Sequence, residues 1–142
     1  MGLDVGDRWI GVAVSDPGGI LATPLVVIDR NGETRDIQAI DNIIKQYDIK
    51  LVIAGLPKSM NGTIGNQAEK VQSFVHDLAA QIGIPIEFRD ERLSTVSAHR
   101  MRRDATGKSR KKMRDDAAAA AIILQSYLDE KSYDIDSYET NN

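Results

Sequence analysis

Three acidic positions in this chain stand at the borders of apolar segments. Asp4 lies between Leu3 and Val5, with Gly6 following; Asp90 and Glu91 close the β-rich segment 84–89; Asp115 and Asp116 immediately precede the alanines of 117–121. An acid inside an apolar segment is costly unless it is paired or bound to a cation. Carboxylates are hard oxygen ligands, and no soft ligand accompanies them, so such a set suits Mg²⁺ or Mn²⁺ rather than zinc. Two such ions about 3.5–4 Å apart can activate a water and stabilise the leaving oxygen in phosphodiester cleavage. Each acid also has an ordinary reading taken alone. Asp4 could cap a turn, Asp90-Glu91-Arg92 could be a solvated loop triplet, and Asp115-Asp116 could complement a helix dipole. At this level the choice within each acidic pair stays open.

Charge supplies a second signal. The net charge of −3 conceals a cationic run over residues 99–114. That run holds eight basic side chains (Arg100, Arg102, Arg103, Lys108, Arg110, Lys111, Lys112 and Arg114) and a single acid, and it leads directly into Asp116. A concentrated basic segment is suited to a polyanion such as nucleic acid, because the local field steers the partner and the net charge does not. A solvated helix face is the plainer alternative. The loop over 55–65 is rich in Gly and Asn but lacks the spacing of a P-loop. Its Lys58, Asn61 and Thr63 are candidates for contact with a nucleic-acid backbone, or are merely a turn-rich connection. Trp9 and the tyrosines are too scattered to argue for base stacking.

The elements that must position these residues follow from periodicity. The segment 3–15 reads as two strands turning at Gly6-Asp7; Asp16-Pro17-Gly18-Gly19 is a turn, and 21–29 is a third strand whose Pro24 marks an edge or a strand start. Ile37, Ile40, Ile43, Ile44 and Tyr47 recur at helical spacing and predict a helix over 33–47. The continuous apolar run 50–56 predicts a buried parallel strand. A helix over 66–82, a strand over 84–89, a helix over 94–105, a basic loop over 106–112 and a helix over 113–129 complete the order. The expected fold is α/β: a mixed five-stranded sheet, a three-strand antiparallel meander followed by parallel strands, flanked by helices. One domain over 1–130 and a polar, flexible tail over 131–142 are expected from a chain of 142 residues. The five alanines imply a helix packed very closely on the sheet, which would carry Asp116 toward the strand ends.

Composition narrows the function classes. The chain has no cysteine and two histidines, which excludes thiol catalysis, a disulfide scaffold, an iron–sulfur cluster and Cys-ligated zinc. No apolar run approaches the ~18 residues of a membrane span and no signal-peptide pattern opens the chain, so a cytoplasmic protein with no membrane partner is expected.

Four stretches together carry a resemblance. G-L-D-V-G-D-R-x-I-G-V-A-V-S-D at 2–16, G-L-P-x-x-M-N-G-T at 55–63, D-E-R-L-S-T at 90–95 and D-x-A-A-A-A-x-I-L-Q at 116–125 are similar to the YqgF family, also called RuvX, linked with pre-16S rRNA processing and Holliday junction resolution. The resemblance implies a ribonuclease H-like fold and a Mg²⁺-dependent nuclease. Matching the motifs selects Asp4, Glu91 and Asp116 as catalytic and metal-holding residues. It further implies pre-rRNA as substrate ahead of a four-way DNA junction, with ribosome-assembly components as partners. A monomer suits trimming of single-stranded RNA and a two-fold dimer suits paired cuts in a junction; a monomer or weak homodimer is the expectation. The chain departs from the pattern at three points. Only Met1-Gly2-Leu3 precede Asp4, Trp9 replaces a small, aliphatic or basic residue, and Ala119 stands where RuvC-type resolvases resemble one another in carrying a further acid. Two rival classes remain. An actin/hexokinase-type ATPase shares D-x-G on a strand but needs two such domains; a nucleic-acid-binding factor would bind without cutting.

Overall fold

Side-chain alternation along the central strands separates two apolar faces, and each face recruits its own helices. The computed structural model describes the backbone of residues 1–59, 61–91 and 109–140, and the side chains of these segments except 109–116 and 133–140. Strands β1 (Gly2–Val5), β2 (Trp9–Ser15), β3 (Ala22–Asp29), β4 (Val52–Leu56) and β5 (Ile86–Asp90) form one sheet in the order β3-β2-β1-β4-β5. β1–β2 and β2–β3 pair antiparallel, whereas β1–β4 and β4–β5 pair parallel. This is the expected meander followed by parallel strands. β3 is an edge strand, and the register shifts beside Pro24, which pairs with Ala13. A proline, having no N–H to donate, is tolerated there.

Helices α1 (Glu33–Gln46) and α2 (Asn66–Gln81) cover one face. Ile37, Ile40 and Ile44 of α1 and Val71, Phe74, Val75 and Leu78 of α2 meet Leu3, Val5, Ile10, Val12, Val52, Ala54 and Leu56. Burial of each large aliphatic side chain there contributes about 1.5–3 kcal/mol. Helix α3 (Ser109–Thr140) covers the other face, where Ala119, Ala120, Ile123 and Leu124 pack on Ala13 and Ile53. The two alanines are fully buried. A methyl group on Gly2 would lie 2.5 Å from the Ala120 carbonyl oxygen, so the helix backbone rides directly on β1.

Strand and helix limits agree with expectation to within two residues through β5. The exception is at the C-terminus. Residues 109–112, expected in a loop, already belong to α3, and the helix passes the expected end at 129 and continues to Thr140. Backbone over 131–140 is therefore helical. One uninterrupted helix is sterically open to this stretch, since no Pro or Gly occurs between Ser109 and Thr140. The expected helix over 94–105 and the loop over 106–108, with Arg100, Arg102, Arg103 and Lys108, lie outside the described residues. Among the described residues no helix is long and apolar enough to cross a membrane.

Candidate active site

Asp4 and Glu91 come together at the carboxyl ends of the central parallel strands, where open α/β sheets place ligands. Asp4 is the third residue of β1 and is 2% exposed; Glu91 directly follows β5 and is 3% exposed. Between β1 and β5 runs β4, whose Gly55 lies one residue beyond the Leu3–Ala54 pair and so stands beside Asp4. A methyl group on Gly55 would be 2.7 Å from Glu91 Oε1 and 2.5 Å from Ile123 Cδ1. Gly55 therefore opens the cradle into which the Glu91 carboxyl folds, next to Asp4 on the face covered by α3.

Alternation also separates Glu91 from its neighbour. Asp90 pairs with Leu56, whose side chain belongs to the α1/α2 core, so Asp90 projects to the opposite face from Asp4. Arg89, facing α3, confirms the alternation. Its Nε donates to Ser126 Oγ at 2.9 Å and its guanidinium meets Glu130 at 2.7 Å.

The third position is reached by arithmetic on the helix. Ala120 and Leu124 lie over Gly2, while Gln125 accepts from Ala22 N–H and donates to the Ile20 carbonyl, at the far end of β2 from the residue paired with Asp4. α3 thus runs antiparallel to β1. One turn before Ala120 the helix rises about 6 Å, close to the roughly 6.7 Å from Gly2 to Asp4. The backbone of residue 116 accordingly reaches the level of Asp4. The Asp115 and Asp116 side chains lie outside those described, as do those of Arg110, Lys111, Lys112 and Arg114. Ala119 is fully buried against the sheet.

Lys58 follows β4 at the same end of the sheet and is half-buried. Its loop is tied by Asn61, whose Oδ1 accepts from Ser59 Oγ at 2.6 Å, Thr63 Oγ1 at 2.8 Å and Thr63 N–H at 3.2 Å. Asn61 thus spends its oxygen inside the loop, which leaves its amide nitrogen for any external contact.

One device escaped sequence reasoning. Arg30 Nε donates to Asp36 at 3.1 Å, its Nη1 donates to the Gly6 carbonyl at 3.0 Å, and its guanidinium lies 4.9 Å from the centre of the Phe74 ring. Asp36 is 2% exposed and also accepts from Asn31 N–H. This clamp fixes the turn two residues after Asp4. The only hint in the chain is an acid on the apolar stripe of α1, one residue before Ile37.

Among the described residues no group of three or more acidic or histidine side chains is placed to hold a metal. Asp4 and Glu91 supply two carboxylates, and their hard oxygen chemistry with the Gly55 cradle fits a divalent cation once a third carboxylate joins them.

A mixed sheet ordered β3-β2-β1-β4-β5, helices on both faces and acids at the central strand ends define a ribonuclease H-like domain. RuvC of T. thermophilus, solved in complex with a Holliday junction substrate, shares this fold, with a TM-score of 0.58, 18% identity, and coverage of 92% of this chain and 93% of that one. The model of a family described as RuvX, Holliday junction resolvase, matches residues 1–130, and the chain belongs to that family. A Dehalococcoides mccartyi protein named "Putative pre-16S rRNA nuclease" is 52% identical over 126 residues, covering 89% of this chain and 94% of that protein. A Clostridium novyi protein of the same name is 48% identical over 130 residues, covering 91% and 96%.

Proposed function

We propose that this chain is a divalent-cation-dependent nuclease that hydrolyses phosphodiester bonds in processing the 5′ end of pre-16S rRNA. The observation that carries the reading is the juxtaposition of two nearly inaccessible carboxyl groups, Asp4 and Glu91, in a cradle opened by Gly55. Two ionised carboxylates sharing a site repel each other, and a divalent cation held between them relieves that repulsion. Asp4, Glu91 and Asp116 would hold Mg²⁺ or Mn²⁺, which supplies Lewis-acid polarisation of the phosphate and acidifies an attacking water. The protein's own part is to hold these carboxylates rigidly: Asp4 by the Arg30 clamp on the following turn, Glu91 by the end of β5. Lys58 and the basic residues of 99–114 would neutralise flanking phosphates, an interaction that weakens steeply with salt.

The names borne by the relatives support pre-16S rRNA as substrate, and with it a cytoplasmic site of action and ribosome-assembly partners for a monomer or weak homodimer. The family description and the RuvC fold support a second reading, cleavage of a four-way DNA junction. Cleavage of a pre-16S leader RNA and of a four-way junction, side by side with Mg²⁺, Mn²⁺ or EDTA, separates the two. The expected result is metal-dependent cutting of the RNA, lost by at least about 10³-fold in Asp4→Asn, Glu91→Gln and Asp116→Asn. Paired symmetric cuts in the junction alone would replace the first reading by the second. Binding without cutting, unchanged by these substitutions, would reject both.

A further inference from the structure

Trp9 is the single tryptophan of the chain. It opens β2 and is half-buried, yet among the described residues it belongs neither to the cluster under α1 and α2 nor to the one under α3. Its face is set by register. Gly11 pairs with Asp4, and Ala13 packs under α3, so Trp9, Gly11 and Ala13 share the Asp4 face. Trp9 is the diagonal same-face neighbour of Asp4, a relation that spans about 7–8 Å between strands. Gly11, between Trp9 and Ala13 along β2, contributes no side chain to this floor. The exposed Arg8 places its guanidinium carbon 5.0 Å from the centre of the indole ring.

A large, half-buried aromatic beside buried carboxylates and topped by a cation has the parts of a nucleotide-stacking platform. Every base presents a π-face, and stacking on an aromatic side chain is worth about 5- to 150-fold in affinity per base. We infer that Trp9 stacks an unpaired base of the substrate next to the cleavage site, with Arg8 meeting the adjoining phosphate. Paired bases are already stacked on each other, so the platform selects single-stranded nucleic acid at this position. This inference rests on the nucleic-acid reading of the same site, but not on cleavage.

Because the chain has one tryptophan, its fluorescence reports the platform directly. The full chain is titrated in EDTA with a single-stranded RNA and with the blunt duplex of the same sequence. Single-stranded RNA is expected to quench the emission, and the duplex to do so weakly or only at much higher concentration. Trp9→Ala should weaken single-strand binding about 5- to 150-fold, whereas Trp9→Phe and Trp9→Tyr retain it to within a few-fold. In cleavage assays Trp9→Ala should raise KM with kcat little changed. Binding that leaves the emission untouched, equal quenching by duplex, or equal losses in the alanine and phenylalanine variants would each overturn the assignment. Quenching and Trp9→Ala losses without cleavage of any substrate would reject the nuclease reading and leave the stacking site standing.

Discussion

At the scale of single residues, Gly55 links local geometry to chemistry. It has no room for a Cβ, because Glu91 and Ile123 occupy that space. Gly55→Ala is expected to displace the Glu91 carboxyl and lower kcat at least about tenfold, since an ångström of misplacement can cost two orders of magnitude. The same substitution should destabilise the fold by about 1–3 kcal/mol through overpacking. Urea denaturation and steady-state kinetics on one preparation measure both. A fully active, equally stable variant would show that Glu91 is not held against β4. The identity of the functional acids was partly legible at this scale. Acid-in-apolar context singled out Asp4. It did not distinguish Glu91 from Asp90, because their difference is the face each takes after β5, set by pairing with β4.

At the scale of elements, the Arg30–Asp36 pair joins the start of α1 to the turn after β1 and to Phe74 of α2. Removing Arg30 leaves the Asp36 carboxylate buried without its cationic partner, at a cost of about 3–5 kcal/mol. Arg30→Met should therefore lower the unfolding free energy by that order, while a joint Arg30→Met, Asp36→Leu change should cost markedly less. A double-mutant cycle in urea reads the coupling, and additive effects would refute the clamp. The α3–sheet contact has the opposite chemistry, being close-packed and apolar. Ala120→Val should force the helix away from Gly2, costing about 1–3 kcal/mol and lowering cleavage with it. Stability loss with unaltered kcat would separate the packing of α3 from the site.

At the scale of the whole molecule, the first residue is bound into the sheet. The Met1 α-amine donates to the Leu51 carbonyl at 3.0 Å, and the Met1 carbonyl accepts from Ile53 N–H at 2.8 Å. In a chain that starts at Met1, burial lowers the α-amine from its ordinary value of 8.0 to about 6, because desolvation disfavours the cation. The unfolded chain then binds more protons between pH 6 and 8. The associated stability is fully present above pH 8, falls by about 2 kcal/mol as pH drops toward 6, and changes no further below. Urea midpoints measured from pH 8.5 to 5.5, alongside NMR titration of the amine, test this; an α-amine titrating near 8 would refute it.

Strand and helix order through β5, the parallel and antiparallel segments of the sheet and the close docking of an alanine-rich helix were all legible in the sequence. They rest on local periodicity, turn chemistry and side-chain volume, which act over a few residues. The turn at Asp16 is one such case, its carboxylate accepting from Ile20 and Leu21 N–H as the D-P-G-G signal implies. The extent of α3 was not legible, because helix-compatible polar residues carry no mark of where a helix begins or stops without a Gly or Pro. Nor were the Arg30 clamp, the Gly55 cradle or the placement of Trp9 beside Asp4. Each joins residues on separate elements, and only strand register and helix docking bring such residues within contact distance. Sequence alone thus determined which elements and acids this protein has, and tertiary structure decided which of them share a face.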